Sequence, residues 1–161
     1  KAEAGSILYL TKPLGIGVLA TAQKKGVLEE DHKDIAANSM MVLNDIGMDL
    51  SEINEVTALT DVTVFGLMGH LLEVCEASDV SAIVNYDKVP IFEEIHGYLD
   101  KKCIPGGTLR NWESYGHKLN IEDEKQRHIL CDPQTSGGLL IAVKKEASKK
   151  VESILKSKGL F

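Results

Sequence analysis

Residues 132–143 of the chain are Asp-Pro-Gln-Thr-Ser-Gly-Gly-Leu-Leu-Ile-Ala-Val, a polar turn with two glycines followed by five apolar residues. The continuous apolar run predicts a buried strand over residues 139–143. The polar residues before it leave two interpretations open. Amides and hydroxyls around paired glycines can form an anion-binding nest, and the same residue types also build plain turns. The segment is not a P-loop, because no Gly-Lys-Ser/Thr follows at the required spacing.

Outward from this strand, the chain alternates strand and helix patterns without repeats or low-complexity tracts. Short apolar or alternating runs predict three more strands, at residues 6–10, 56–59 and 80–86. Helical spacing of apolar residues predicts helices at residues 13–25, 34–46, from about 65, 91–102 and around 147–155. Residues 104–123 are expected to be loop-like. The mixture predicts an α/β or α+β domain in which helices cover a sheet.

Composition narrows the class of protein. The chain has 161 residues, of which 43% are hydrophobic and 26% charged, values typical of a folded domain. Its 24 acidic and 18 basic residues give a net charge of -6, which argues against a nucleic-acid partner. No apolar run approaches the roughly 20 residues that span a bilayer, and we expect no membrane association. We expect a cytoplasmic protein, and both ends of the chain resemble cuts within a longer polypeptide.

The cysteines and histidines offer no obvious reactive cluster. Three cysteines without a close pair argue against a disulfide framework and a structural zinc site, so we expect small buried thiols. The five histidines lack the short paired spacing of a zinc motif. His70 falls within a predicted helix and is expected to be a packed or surface residue.

Asp61 stands where a predicted strand leads into a helix, within the sequence Leu-Thr-Asp-Val-Thr-Val-Phe-Gly-Leu of residues 59–67. An aspartate there can cap the helix by accepting N–H groups at its positive end. It can also be an oxygen ligand for a hard cation such as Mg²⁺. A third polar segment, residues 105–111, places Arg110 and Asn111 where they could reach a phosphate or a neighbouring domain, or simply build a surface turn.

Several segments, in the same order along the chain, closely resemble the carboxy-terminal half of the selenophosphate synthetase (selenide, water dikinase) family. They are Leu10-Thr11-Lys12-Pro13-Leu14-Gly15, Thr60-Asp61-Val62-Thr63, Phe65-Gly66-Leu67, Gly69-His70, Pro105-Gly106-Gly107-Thr108 and the 132–140 segment, Asp-Pro-Gln-Thr-Ser-Gly-Gly-Leu-Leu. The resemblance covers nearly the whole chain. Aminoimidazole ribonucleotide synthetase and thiamine-monophosphate kinase are wider relatives that share the fold without this combination.

The resemblance implies that residues 1–161 are the C-terminal domain of a two-domain, ATP-dependent enzyme that makes selenophosphate, AMP and phosphate from ATP, selenide and water. The fold would be a mixed sheet covered by helices, similar to the aminoimidazole ribonucleotide synthetase C-terminal domain and partly ferredoxin-like. The N-terminal half would hold the catalytic Cys or selenocysteine, a Lys and most ATP contacts. The parent would be a homodimer joined mainly through that half, and this fragment alone would be inactive.

The same resemblance implies a small set of site residues. Asp61 matches a family aspartate that joins carboxylates of the N-terminal half around Mg²⁺. Thr60 and Thr63 would shape that site. The loop with Thr135, Ser136, Gly137 and Gly138 would face the interdomain cleft and the ATP cofactor, without a defined catalytic role.

Val64 departs from the family pattern, which has glycine at this position. A β-branched residue resists backbone angles that glycine adopts, so either the backbone angle here is ordinary or the helix beside Asp61 starts elsewhere. The substitution also keeps two alternatives open. The chain could be a non-catalytic interaction domain of the same fold, or part of a related ATP-dependent enzyme with another phosphoryl acceptor.

Overall fold

The computed structural model describes residues 1–160, and its centre is an antiparallel three-stranded sheet. The strands are β1 (Ile7–Leu10), β2 (Val56–Asp61) and β3 (Leu139–Val143), in the order β1-β3-β2. All five residues of β3 are buried, because the strand has a neighbour on each side and helices over each face. The apolar run at residues 139–143 is therefore confirmed as a buried strand.

Eight α-helices and four short 3₁₀ turns cover the sheet within the described residues. The helices are α1 (Ile16–Lys24), α2 (Ile35–Met41), α3 (Ile46–Ser51), α4 (Gly66–Ser78), α5 (Ile95–Asp100), α6 (Gly106–Tyr115), α7 (Glu124–Leu130) and α8 (Ser148–Ser157). This confirms the predicted class of a sheet covered by helices. The strand ladders are antiparallel, and parallel pairing is confined, in residues 1–160, to one bridge between Leu14 and Ile91.

Alternating side chains of the strands supply two separate apolar cores. Leu8, Leu10 and Leu140 face the larger core, which is shared with α1, α4, α5 and α7. Tyr9 and Ile141 face the smaller core, which is shared with α3 and α8. Because strand side chains point alternately to opposite faces, a single sheet serves both cores.

The predicted helix over residues 34–46 is wrong in its extent. The chain forms α2, leaves the helical conformation at Val42, where ψ is 121°, and starts α3 at Ile46. Gly47 lies inside α3. Hydrogen bonds to distant residues hold the segment between the two helices. The carbonyl of Val42 accepts one from Lys12, and the side chain of Asn44 donates one to Gly137.

Three further predictions are corrected. Residues 80–86 form no strand, and Ile83 is 98% exposed. The helix predicted over 91–102 is limited to α5. Ile91, the first residue of the predicted helix, instead forms a β-bridge with Leu14. Residues 104–123 are not loop-like, because α6 begins directly after Pro105. No helix of residues 1–160 is long and apolar enough to cross a membrane.

Candidate functional site

The sequence segments singled out above meet at one end of the sheet. The N–H of Thr11 donates to the carbonyl of Leu139 at 3.1 Å, and the N–H of Leu139 returns a bond to Thr11 Oγ1 at 2.8 Å. On the other side of β3, Val62 N–H donates to Gly138 O at 2.8 Å and Gln134 N–H donates to Thr63 O at 3.0 Å. The loop of residues 132–138, called the motif loop below, is thus held between the segments that follow β1 and β2.

The motif loop caps helix α1 from a distant part of the sequence. Gln134 Oε1 accepts the N–H groups of Gly15 and Ile16, each at 3.2 Å. Asp132 Oδ2 accepts the N–H of Gly17 at 2.9 Å and the Gln134 side-chain amide at 2.8 Å. Since the first N–H groups of a helix have no partner inside the helix, these acceptors satisfy donors that would otherwise be buried and unpaired.

Glycine is required where α1 meets the motif loop. A Cβ on Gly17 would lie 2.5 Å from Asp132 Oδ1, and Gly15 has a φ of 130°, which side chains rarely adopt. The helix-weakening effect of two glycines is therefore offset by the close approach that they permit.

Lys12 is a buried cation, 5% exposed, beside the motif loop. Its Nζ donates to the carbonyl oxygens of Val42 at 2.6 Å and Ser136 at 2.7 Å. Burial lowers the pKa of Lys12. Lys12 therefore connects the segment after β1, the α2–α3 connection and the motif loop through one side chain. In the sequence, Lys12 stands out only as a member of the Thr-Lys-Pro segment, without a role of its own.

The tip of the motif loop combines exposed polar groups with tight backbone packing. Thr135 and Ser136 are exposed, and Ser136 has a φ of 48°. A Cβ on Gly137 would lie 2.0 Å from Val62 O. Within residues 1–160, the backbone N–H groups of Thr135, Ser136 and Gly137 donate to no acceptor. The tip thus offers several unused donors on a fixed backbone.

Asp61 is the exposed last residue of β2. Its carboxylate makes no hydrogen bond or ion pair with the described residues. The capping interpretation is wrong, because α4 starts at Gly66 after Phe65 and has no side-chain cap. Among residues 1–160 there is no group of three or more His, Cys, Asp or Glu side chains that could hold a metal ion. Any cation at Asp61 would need ligands from elsewhere.

The two threonines that flank Asp61 are placed differently. Thr60 Oγ1 lies 3.5 Å from the carbonyl of Asp61. Thr63 Oγ1 lies 3.2 Å from His70 Nε2, and the other ring nitrogen of His70 is 3.0 Å from Glu73. His70 is buried, as the packed interpretation predicted.

Residues 105–111 have a structural role that the sequence analysis missed. Thr108 and Asn111 are buried on α6, and Asn111 Nδ2 donates to Val64 O at 2.9 Å and Cys131 O at 3.0 Å. Asn111 therefore ties the segment after Asp61 to the start of the motif loop instead of reaching a ligand. Arg110 is exposed.

The backbone of Val64 has an ordinary conformation. The non-glycine residues with positive φ in the described chain are Asp79, Lys102 and Ser136, and Val64 is not among them. The positive φ in this turn belongs instead to Gly66, at 67°, where an added Cβ would lie 2.7 Å from the backbone carbonyl carbon of Cys131. The side chain of Val64 is 59% exposed, so no rearrangement is needed to hold it.

The three thiols are free, as predicted; Cys103 and Cys131 are buried and Cys75 is half-buried. Burial raises the pKa values of Cys75 and Cys131. Burial also raises the pKa of Asp132 to about 7, against several hydrogen bonds that lower it. Asp132 and Gln134 were quoted in the sequence only as loop residues. Their burial as polar side chains next to a glycine-flanked helix start is the signal that identifies their role.

Residues 3–161 match the family described as AIR synthase related protein, C-terminal domain. The chain is 55% identical over 159 residues to a selenide, water dikinase of Aeromonas salmonicida and 51% identical to one of Haemophilus influenzae. Each match covers 99% of the chain but 46% of the relative. The chain therefore spans about half the length of these curated relatives and corresponds to their C-terminal part.

Solved structures share the fold at low sequence identity. A thiamine-monophosphate kinase from Stenotrophomonas maltophilia has a TM-score of 0.68 and 15% identity, over all of the chain and 46% of that protein. The E. coli hydrogenase maturation protein HypE has a TM-score of 0.62 and 21% identity, over 96% of the chain and 39% of that protein. These similarities support the assignment of the fold only.

Proposed function

Because this chain belongs to the family of AIR synthase related protein C-terminal domains, we propose that it is the C-terminal domain of a selenide, water dikinase. The whole protein would use ATP, selenide and water to make selenophosphate, AMP and phosphate. The observation that carries the proposal is the identity of 50–55% with several curated selenide, water dikinases along 99% of the chain. An N-terminal half of similar size would complete the enzyme, and the isolated chain would be inactive.

Asp61 would contribute one oxygen ligand to a composite Mg²⁺ site. Its carboxylate is exposed and unpaired within the described residues, so it is available to a cation without breaking an existing contact. Mg²⁺ binds through a few carboxylates together with substrate phosphates, which agrees with one ligand here and the others on the N-terminal half. When bound, the ion would neutralise charge that develops on the transferred phosphoryl group.

The motif loop would form part of the ATP-binding wall. Its free N–H groups at Thr135, Ser136 and Gly137 suit an anion, since successive backbone donors on a turn bind phosphate oxygens. Gly138 would contribute by permitting close packing, because a Cβ there would lie 2.4 Å from Lys12 N. Thr60 and Thr63 would shape the neighbouring Asp61 site without acting as ligands.

An apolar surface around this end of the sheet would contact the N-terminal half. Seven of the exposed large apolar side chains lie on the α2–α3 segment, on β2 and on the turn before α4: Met41, Val42, Leu43, Met48, Leu59, Val64 and Phe65. A patch of this kind on a protein surface is typical of an interface. We expect the parent to be a cytoplasmic homodimer, with dimer contacts mainly outside this chain.

Calorimetry with Mg²⁺ and a non-hydrolysable ATP analogue tests the proposal, using this chain and the same chain joined to its N-terminal half. We expect binding by the joined protein alone, and at least a tenfold loss of affinity in Asp61→Asn, because removing one ligand charge weakens a composite site. Melting temperature should stay unchanged in that variant. Tight nucleotide binding by the chain alone would contradict the division of the site between two halves.

The same joined protein separates the remaining alternatives. Selenide-dependent release of AMP from ATP is expected of a selenide, water dikinase. An inactive parent whose activity appears on Val64→Gly would instead favour a non-catalytic domain. ATP turnover that does not depend on selenide would favour an enzyme with another phosphoryl acceptor.

A further inference from the structure

His70 is a buried histidine whose two ring nitrogens both have polar partners. It lies near the start of α4 and is 7% exposed. Its Nδ1 lies 3.0 Å from Glu73 Oε2, on the same helix, and its Nε2 lies 3.2 Å from Thr63 Oγ1, in the segment after β2. The ring of Phe65 packs beside it, with 5.6 Å between the ring centroids. The imidazole is therefore fixed between a carboxylate and a hydroxyl group.

These partners decide which nitrogen of His70 carries the proton. An ionised carboxylate can only accept hydrogen bonds, so the bond to Glu73 requires a proton on Nδ1. In a neutral imidazole the other nitrogen is then bare and can only accept. Nε2 consequently receives its hydrogen bond from the Thr63 hydroxyl group. The hydroxyl proton of Thr63 points toward α4, and the rest of Oγ1 keeps only lone pairs.

Thr63 and Asp61 lie on one side of the chain. Val62 between them is 0% exposed, and its N–H donates to the motif loop at 2.8 Å, which continues the pairing of β2. Because successive side chains of an extended chain point to opposite sides, Asp61 and Thr63 lie opposite to Val62. The carbonyl of Thr63 accepts the N–H groups of Gly66 and Gln134, each at 3.0 Å, so the backbone at this position is fixed.

We propose that His70, held by Glu73, is a positioning residue that turns the Thr63 hydroxyl group so that its oxygen presents only acceptor lone pairs beside Asp61. This inference rests on the proposed function, in which Asp61 is a ligand of Mg²⁺. Protein-bound Mg²⁺ usually keeps several waters, and groups outside the ligand shell orient what the ion binds. Thr63 accepts a hydrogen bond from such a water without being a ligand itself. A hydroxyl proton pointing outward would instead oppose the cation and its waters.

The polarity of Thr63 complements that of the neighbouring motif loop. The tip of the loop offers backbone N–H donors at Thr135, Ser136 and Gly137, whereas Asp61 and Thr63 offer acceptors. A metal-bound nucleotide needs both kinds of group, because phosphate oxygens accept hydrogen bonds and waters on the cation donate them. The tautomer of the buried histidine thus decides whether Thr63 belongs to the acceptor side.

The tautomer can be measured directly on this chain. ¹⁵N NMR at pH 8, where histidine side chains are generally neutral, distinguishes a protonated ring nitrogen from a bare one. We expect the proton of His70 on Nδ1, and a mixture of tautomers in Glu73→Gln, whose amide can donate as well as accept. Glu76→Gln is the matched control, because Glu76 is also on α4 but bonds to Lys118, and it should leave the signals of His70 unchanged. A proton on Nε2 in the native chain would overturn the proposal.

Mg²⁺ binding by the chain joined to its N-terminal half tests the role of the hydroxyl group. Thr63→Val keeps the shape of the side chain without the oxygen, and it should weaken Mg²⁺ binding in the presence of an ATP analogue about tenfold. Thr63→Ser, which keeps the hydroxyl group, should recover most of the lost affinity. Equal affinities of Thr63→Val and the native protein would show that the hydroxyl group has no role toward the cation.

The two measurements separate this inference from the proposed function. Failure of the native joined protein to bind Mg²⁺ would contradict the proposed function and the role of Thr63 together. The opposite tautomer of His70 in the chain alone would overturn this inference and leave the proposed function standing.

Discussion

At the scale of single residues, this end of the sheet consists of glycines and buried polar side chains. They are packed so closely that an added atom would collide with a neighbour. Gly137 is the tightest case, because an ideal Cβ would stand 2.0 Å from the carbonyl oxygen of Val62. Backbone cannot yield as a flexible side chain can. The sequence shows a pair of glycines there but cannot show which atoms they face.

Gly137→Ala should therefore destabilise the chain by about 2 kcal/mol or more, because the motif loop must move away from the segment after β2. Gly97→Ala is the control: Gly97 lies in α5 with nothing within 4 Å of its Cβ position, so alanine should be neutral or stabilise by up to about 1 kcal/mol. Urea denaturation of both variants measures the difference. Equal stabilities would mean that the motif loop is not packed as described.

At the scale of elements, helix α1 is completed by residues that follow it by more than a hundred positions. Gln134 accepts two of its first N–H groups and Asp132 a third. Local sequence rules find a helix here from Pro13 and the apolar spacing, but they look for the cap immediately before the helix. The cap comes from the motif loop, and no short-range pattern could have revealed it.

Gln134→Ala should cost about 1–3 kcal/mol of stability, since it leaves two buried N–H donors unpaired. Gln23→Ala, on the exposed side of α1, is the matched control and should change stability by no more than about 0.5 kcal/mol. Hydrogen exchange of the Gly15 and Ile16 amides should accelerate only in the first variant. Unchanged exchange there would argue against capping by Gln134.

The strands and helices show which elements can be predicted from sequence patterns and which cannot. The apolar run at 139–143 and the mostly apolar run at 56–59 predict strands that the structure has, although β2 extends two residues further, to Asp61. The alternating run at 80–86 also has a strand-like pattern but gains no partner strand, since pairing depends on the rest of the fold. The two glycines near the start of residues 104–123 indicate a loop, but they lie in the first turn of α6.

At the scale of the whole molecule, apolar side chains that remain exposed are concentrated near Asp61 and the motif loop. Met48 and Leu43 are each 76% exposed on the segment between α2 and the end of α3. Such side chains contribute little to the stability of this chain. Their exposure is what the proposed contact with an N-terminal half would remove.

Replacing Leu43 and Met48 by lysine should therefore leave the stability of the isolated chain within about 0.5 kcal/mol of its original value. In a mixture with a separately produced N-terminal half, the double variant should bind at least tenfold more weakly, because burying two charges at an apolar contact is unfavourable. Val27→Lys, on an exposed apolar residue after α1, is the control. Equal binding by all three proteins would place the contact elsewhere.

The strand order also has a consequence for how the chain acquires its structure. β3, which joins β1 to β2, is made of residues 139–143, so neither of the earlier strands can be paired until most of the chain has been synthesised. Contacts between such distant residues form slowly, because a long loop must close before they are gained. During synthesis the two earlier strands have open edges and exposed apolar faces. The nascent chain should therefore depend on chaperones until residues 139–143 emerge, and a version cut before residue 139 should aggregate instead of folding.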